Sequence, residues 1–286
     1  MIKKTLFILW TLFFLVQPLY AGKIEDSLTI VNNPLNSVDD RRKAVEEIKT
    51  SRDPRVLPAL IEIIRNSAEP TALRSHIVDQ LMQSNDEWCA IELKKIALDT
   101  ALPSEVRKPA LYGLWIKNPE EFKSEVINIA QNSAEPIDLR VTALTYLRTS
   151  VLELPLSFWK ILIGKNNNAQ IRIAALNGME QHGFLRQEKT SLVQIIQDPN
   201  EDIQLRKTAV LNAERFFPPE AVIPELIQII STASNSLEMR KFALDHLASY
   251  PVRNSISQLE KILAMEKNPS FKNDLKLFLE TATTQN

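Results

Sequence analysis

The chain has 286 residues, of which 44% are apolar, 24% are charged and only five are glycine. So few glycines argue against an all-β protein with many tight turns. A formal net charge of −1 excludes a general electrostatic attraction for nucleic acid or an anionic membrane surface, so the composition favours a soluble, helix-rich protein.

The first 21 residues have the layout of a secretory signal peptide. Lys3 and Lys4 precede the apolar run Leu6–Val16, and the small residue Ala21 follows a polar break. We predict cleavage after Ala21 and a periplasmic or secreted location. The alternative is an uncleaved anchor, but this run of about 11 residues is shorter than the roughly 20 that a membrane span needs. No membrane span is therefore expected once the leader is removed.

Residues 22–38 lie between the leader and the first repeat. They carry the apolar residues Ile24, Leu28 and Ile30 but do not match the pattern that follows. We predict an irregular N-terminal cap segment over this range, followed by one repeat array over residues 39–286.

A basic residue recurs every 32 to 34 residues in that array. The eight positions, called seam positions below, are Arg41, Arg74, Arg107, Arg140, Arg172, Arg206, Arg240 and Lys272. Residues three, four and seven places after each are apolar almost throughout and share one face of a helix. The first of these is usually alanine, as at Ala110 and Ala143, which indicates that a neighbouring helix approaches closely. A second apolar helix follows in each repeat, most clearly over 53–65 and 218–230.

This pattern predicts an all-α solenoid of seven helix pairs with a terminal capping helix. In such a stack each seam side chain lies beside the preceding helix pair. We predict that its guanidinium bonds helix-end carbonyls and an acidic residue in a turn. The candidate acids are Asp40, Glu69, Glu105, Asp138, Asp202 and Glu238. The alternative interpretation is a row of arginines that grips an anionic ligand.

The repeats resemble the short bacterial HEAT-like repeat found in the phycobilin lyase accessory group. The matching strings are Val106-Arg107 with Ala110, Leu205-Arg206 with Ala209, and Asp53-Pro54 followed by Pro58-Ala59-Leu60. The resemblance covers about residues 39–280. It implies the architecture, and it would also imply a role in attaching or detaching a chromophore.

No residues are spaced for known catalytic or metal chemistry. His76, His182 and His246 are 106 and 64 residues apart, and none is followed by glutamate, whereas the HEAT-type di-iron hydroxylases carry His–Glu pairs. Cys89 is the only cysteine, so an internal disulfide is excluded, and we expect a buried side chain rather than a reactive thiol. We predict no enzymatic activity, no catalytic or metal-binding residue and no cofactor.

A solenoid of helix pairs curves, and its second helices line a concave face. We predict an exported, non-catalytic scaffold that binds a protein or peptide on that face. Phe158 and Trp159 are interpreted either as core residues or as an aromatic anchor for the partner. The alternative function, implied by the resemblance, is a lyase-like accessory protein that acts on a tetrapyrrole-carrying partner.

Overall fold

The computed structural model describes residues 22–84, 87–150 and 153–284. The leader predicted over residues 1–21, including its cleavage site, lies outside the described residues. No strand is present within the described ranges. The chain divides into two compact units, with the boundary between Tyr146 and Leu147.

Unit 1 consists of α1 and the helices that follow it up to the boundary inside α8. Its helices are α1 (residues 22–32), α2 (Val38–Ile48), α3 (Val56–Arg65), α4 (Thr71–Met82), α5 (Glu87–Leu98), α6 (Ser104–Lys117), α7 (Lys123–Gln131) and α8 (Ile137–Thr149). Unit 2 continues with α9 (Leu156–Ile163), α10 (Ala169–Gln181), α11 (Lys189–Gln197), α12 (Ile203–Phe216), α13 (Pro219–Ser231), α14 (Leu237–Leu247), α15 (Ile256–Met265) and α16 (Pro269–Thr284). From α2 onward these form seven helix pairs and a terminal helix, which confirms the predicted all-α solenoid class.

The first helices of successive pairs pack on one another in each unit. In unit 1, α2 contacts α4 and α4 contacts α6; in unit 2, α10, α12, α14 and α16 contact one another in succession. The alanines three residues after the seam positions, such as Ala110 and Ala175, are fully buried. A side chain this small lets two helix backbones approach closely, as the sequence predicted.

The N-terminal segment differs from its prediction, because residues 22–32 form a helix rather than an irregular cap. Its buried apolar residues are Ile24, Leu28 and Val31, which are spaced for one helix face, whereas Ile30 is exposed. The predicted set contained Ile30 in place of Val31 and therefore did not show the helical period. This helix packs as the second helix of a preceding pair would, as the contacts of Arg41 show below.

The connectors between pairs are short polar turns. Asn66 and Asn132 each accept a hydrogen bond from the backbone N–H two residues on, which closes the turn before Pro70 and Pro136. Across the described ranges, none of the helices combines the length and the apolar character of a membrane-spanning segment.

Candidate functional site

Seven of the eight seam positions form the same buried contact. The Nε of each seam arginine donates a hydrogen bond of 2.6–3.0 Å to a backbone carbonyl in the last turn of the preceding helix. The acceptors are Val31, Ile64, Ala97, Ala130, Ile163, Ile196 and Ile230. Carbonyls in the last turn of a helix lack an intrahelical partner, so the arginine satisfies one of them. This part of the seam prediction is confirmed.

Four of these arginines also hold a carboxylate. Arg41 binds Glu69 through both Nη atoms at 2.6 and 2.9 Å, and Arg107 binds Glu135 at 2.6 and 2.8 Å. The corresponding pairs in unit 2 are Arg172–Glu201 and Arg240–Glu266. Each carboxylate lies in the connector that follows the second helix of the arginine's own pair. One side chain therefore ties the preceding helix to the following connector.

These ion pairs are buried and charged. Arg107 is 1% exposed and Glu135 is 9% exposed. In unit 2, the hydrogen bond from Arg240 lowers the pKa of Glu266 below its ordinary value of 4.5. A two-pronged contact between guanidinium and carboxylate is stronger than a neutral hydrogen bond because both partners are ionised.

The carboxylates alternate along the chain with other residue types. Glutamate stands five residues before Arg74, Arg140 and Arg206. The equivalent residues in the intervening connectors are Leu102, Asn167 and Asn235. Among the described residues, the Arg74 guanidinium has the Ile64 carbonyl as its hydrogen-bond partner, and burial lowers the pKa of Arg74. Paired and carboxylate-free seams thus occur in the same unit.

Most of the acids that were predicted as seam partners contact other residues, so this part of the seam prediction was wrong. Glu69 is a seam partner, but Asp40 bonds Ser37, Asp138 pairs with Lys108, Asp202 caps α12 and Glu238 pairs with Lys207. The true partners Glu135, Glu201 and Glu266 were missed. The sequence feature that could have identified these partners was the glutamate that recurs shortly before the next seam position.

Lys272 does not join the seam, so its assignment was wrong. The residue is exposed, and its recorded hydrogen bond is the helical one from its backbone N–H to Asn268. A lysine ammonium is a strongly hydrated point charge without the guanidinium fork. Phe271 occupies the buried side of this turn instead, where the Arg240 guanidinium stacks 4.1 Å from its ring centre.

A cleft of about 680 Å³ opens in unit 1 and is the best candidate for a binding site. It is lined by the connector between α2 and α3, the start of α3, the end of α4 and the start of α5. Trp88 lies on its wall with 70% of its surface exposed. The cleft therefore lies at the turns within two successive repeats, a location that the helix-face prediction did not give.

Two polar side chains of the cleft are held in place by neighbours. The Lys49 ammonium donates to Gln80 Oε1 at 2.8 Å and to Gln83 Oε1 at 3.0 Å. Asp53 accepts three hydrogen bonds from Arg55, and these lower the pKa of Asp53 to about 2. Two neutral amide side chains therefore orient the Lys49 ammonium, whereas the Asp53 carboxylate is already paired with Arg55.

Cys89 also lines this cleft, but its side chain is buried. The residue is 7% exposed and belongs to the packed face of α5. The prediction that this cysteine is a buried packing residue is confirmed.

Phe158 and Trp159 are core residues, so the aromatic-anchor interpretation is wrong. Phe158 is 6% exposed and Trp159 is fully buried in unit 2. Their rings pack edge to face at 4.9 Å between centres, and the Trp159 ring lies against Gly178 and His182. Neither side chain can reach a partner from this position.

The three histidines lie apart, His76 in α4, His246 in α14 and His182 directly after α10. His76 lies 3.7 Å from Glu46, and His246 Nδ1 lies 2.8 Å from Glu214 Oε2. The His182 ring is tilted against the Trp159 ring, with 5.5 Å between their centres. Within the described ranges, no group of three or more His, Cys, Asp or Glu side chains is placed to hold a metal ion.

The fold and the cleft define a helical-repeat protein with a groove at its intra-repeat turns. Human deoxyhypusine hydroxylase in complex with glycerol is a solved structure similar to this chain. The match covers 94% of this chain and 99% of that chain, with 13% sequence identity and a TM-score of 0.38. No family model and no curated protein matches the chain.

This comparison corrects the prediction that the chain is not an enzyme. The matched structure is that of an enzyme. A similarity of this size assigns no activity, substrate or residue role to this chain.

Proposed function

We propose that the chain is an exported HEAT-like repeat protein that binds a peptide segment of a partner protein in the cleft of unit 1. Support for export comes from the leader pattern of residues 1–21, and support for the repeat class comes from the recurring seam. Helical-repeat proteins commonly bind extended partners through surfaces built from successive repeats.

The exposed side chain of Trp88 carries this proposal. Tryptophan is usually largely buried in folded proteins, and 70% exposure leaves a large apolar ring in water on the wall of a cleft. Apolar side chains such as Leu57 and Leu81 line the same cleft. An aromatic ring beside an apolar recess is the usual centre of a protein-binding hot spot.

Replacing Trp88 by alanine is expected to weaken peptide binding about 30-fold, because hot-spot tryptophans contribute about 2 kcal/mol or more. Peptides are first selected from a displayed library on the purified mature chain, and their affinities are then measured by fluorescence polarisation. Leu35→Ala is the matched control, since Leu35 is 91% exposed in the same unit but lies outside the cleft lining. This control is expected to bind as the wild type does.

Equal affinities for wild type and Trp88→Ala would overturn the proposal, as would a library that yields no binder. A tetrapyrrole is titrated in parallel and followed by its absorbance. A spectral change in that arm, without peptide binding, would favour the lyase-like alternative.

The export part of the proposal has its own test. Full-length protein produced in a bacterial host is expected in the periplasmic fraction, with Gly22 as its first residue, because small residues precede signal-peptidase cleavage sites. N-terminal sequencing of the purified protein measures this directly. A chain that keeps Met1 and stays with the membrane would show that the leader is a retained anchor.

A further inference from the structure

Two cations of unit 1 that have no carboxylate partner among the described residues line the cleft, and a third contacts its wall. Most of the described lysines and arginines of this unit lie within 4 Å of a carboxylate. Among the described residues, those without one include Lys49, Arg52, Arg74, Lys117 and Lys123, of which Arg74 is buried in the seam. Lys49 and Arg52 line the cleft. Lys117 donates to the backbone carbonyl of Ser84, which also lines it.

Within the described part of the cleft, no carboxylate neutralises these cations. Asp53 is the acid among the described lining residues, and Arg55 binds both of its oxygens. Arg55 is itself shared with Glu25 of α1. The described lining residues Lys49 and Arg52 therefore place positive charge on the same cleft wall as the exposed ring of Trp88.

The cations come from the first and the third of three successive repeats, which sets their approximate spacing. Lys49 directly follows α2, and Lys117 is the last residue of α6. Because α2 packs on α4 and α4 packs on α6, with neighbouring axes 8–10 Å apart, the two helix ends are separated by about 16–20 Å. An extended peptide rises about 3.3 Å per residue, so five or six residues cover this distance.

We infer that the cleft binds an extended acidic peptide segment about six residues long, with carboxylate side chains near both ends and an apolar side chain between them. The carboxylates pair with Lys49 and Arg52 at one end and with Lys117 at the other, while the apolar side chain packs on Trp88. A peptide whose only carboxylate is its C-terminus would pair with the cations at one end of the cleft only. The inference rests on the proposed function, because it names the chemistry of the ligand for the same cleft.

The test uses three labelled hexapeptides with the same leucine and tryptophan centre and either glutamate, glutamine or lysine at both ends. The wild-type mature chain is expected to bind the glutamate peptide about tenfold more tightly than the glutamine peptide, and to bind the lysine peptide least. This preference is expected to shrink as the salt concentration rises, because salt screens exposed charges.

Arg52→Gln and Lys117→Gln are each expected to weaken binding of the glutamate peptide about fivefold and to leave the glutamine peptide unchanged. Lys43→Gln is the control, since it removes the same charge from an exposed side chain outside this cleft. Circular dichroism checks that each variant keeps the wild-type helix content and melting temperature.

The outcomes separate the inference from the proposed function. If the three peptides bind equally and all are lost in Trp88→Ala, the cleft is a peptide site without charge selection, and the inference is wrong. A preference for the lysine peptide overturns it in the same way. If no peptide binds, including those selected from the library, both the inference and the proposed function fail.

Discussion

Arg107→Met is expected to lower the free energy of unfolding by about 3–5 kcal/mol, because it leaves a buried carboxylate without its partner. The guanidinium and Glu135 form a two-pronged pair inside unit 1, and Arg107 also satisfies the Ala97 carbonyl. Methionine fills much of the arginine volume without supplying a donor. Urea unfolding followed by circular dichroism measures the loss.

The Arg74 seam provides a matched control within the same unit. Arg74 makes the same carbonyl contact, to Ile64, but the position of the partner glutamate holds Leu102. Arg74→Met removes one hydrogen bond and one buried cation and strands no carboxylate, so the expected loss is about 1 kcal/mol. The difference between the two variants isolates the effect of the orphaned acid.

A double variant separates the effect of the orphaned carboxylate from that of the lost arginine. Arg107→Met combined with Glu135→Leu is expected to recover most of the loss, because replacing a buried ion pair by apolar residues is often close to neutral. The change copies the leucine that the chain already uses at position 102. Equal losses for Arg107→Met and Arg74→Met, or a double variant no better than the single one, would show that the carboxylate contributes nothing to the seam.

The sequence was sufficient for the repeat and the core because both depend on a local period. A buried helix face shows directly as apolar residues three, four and seven places apart, and the seam arginine holds a fixed place at the start of that face. The carbonyl contact followed from the same register, since the preceding helix always ends beside it. The prediction was wrong at the last seam position, because Lys272 has the charge of an arginine without its reach or its forked guanidinium.

The acidic partners of the seam arginines and the cleft could not be predicted from the sequence in the same way. Which glutamate meets a guanidinium depends on which connector folds over it. The observed partners follow their arginine in the chain, whereas most of the predicted acids closely precede a seam position. The exposure of Trp88 follows from how α5 is rotated at its first turn, where Trp88 faces solvent and Cys89 faces the core. Periodicity over one turn does not distinguish these neighbours. For Phe158 and Trp159, by contrast, the apolar residues four places later already indicated a buried face.

Gly178→Ala is expected to lower the free energy of unfolding by about 1–3 kcal/mol, although alanine is the better helix former. A Cβ at this position would lie 2.2 Å from the Trp159 ring, which is fully buried and cannot move aside. Overpacking of this kind outweighs the gain of up to about 1 kcal/mol that alanine brings to a helix interior. The midpoint of urea unfolding and the melting temperature measure the change.

Gly113→Ala is the matched control, because Gly113 also lies six residues after a seam arginine. Its added Cβ would meet Met82 Cγ at 2.5 Å, but the Met82 side chain is flexible and only partly buried. Methionine can adopt another rotamer, so this variant is expected to stay within about 1 kcal/mol of the wild type. Adding Trp159→Phe to Gly178→Ala shrinks the ring and is expected to restore part of the loss. Similar losses for the two glycine variants, or no recovery with the smaller ring, would mean that the clash with Trp159 is not what fixes glycine at position 178.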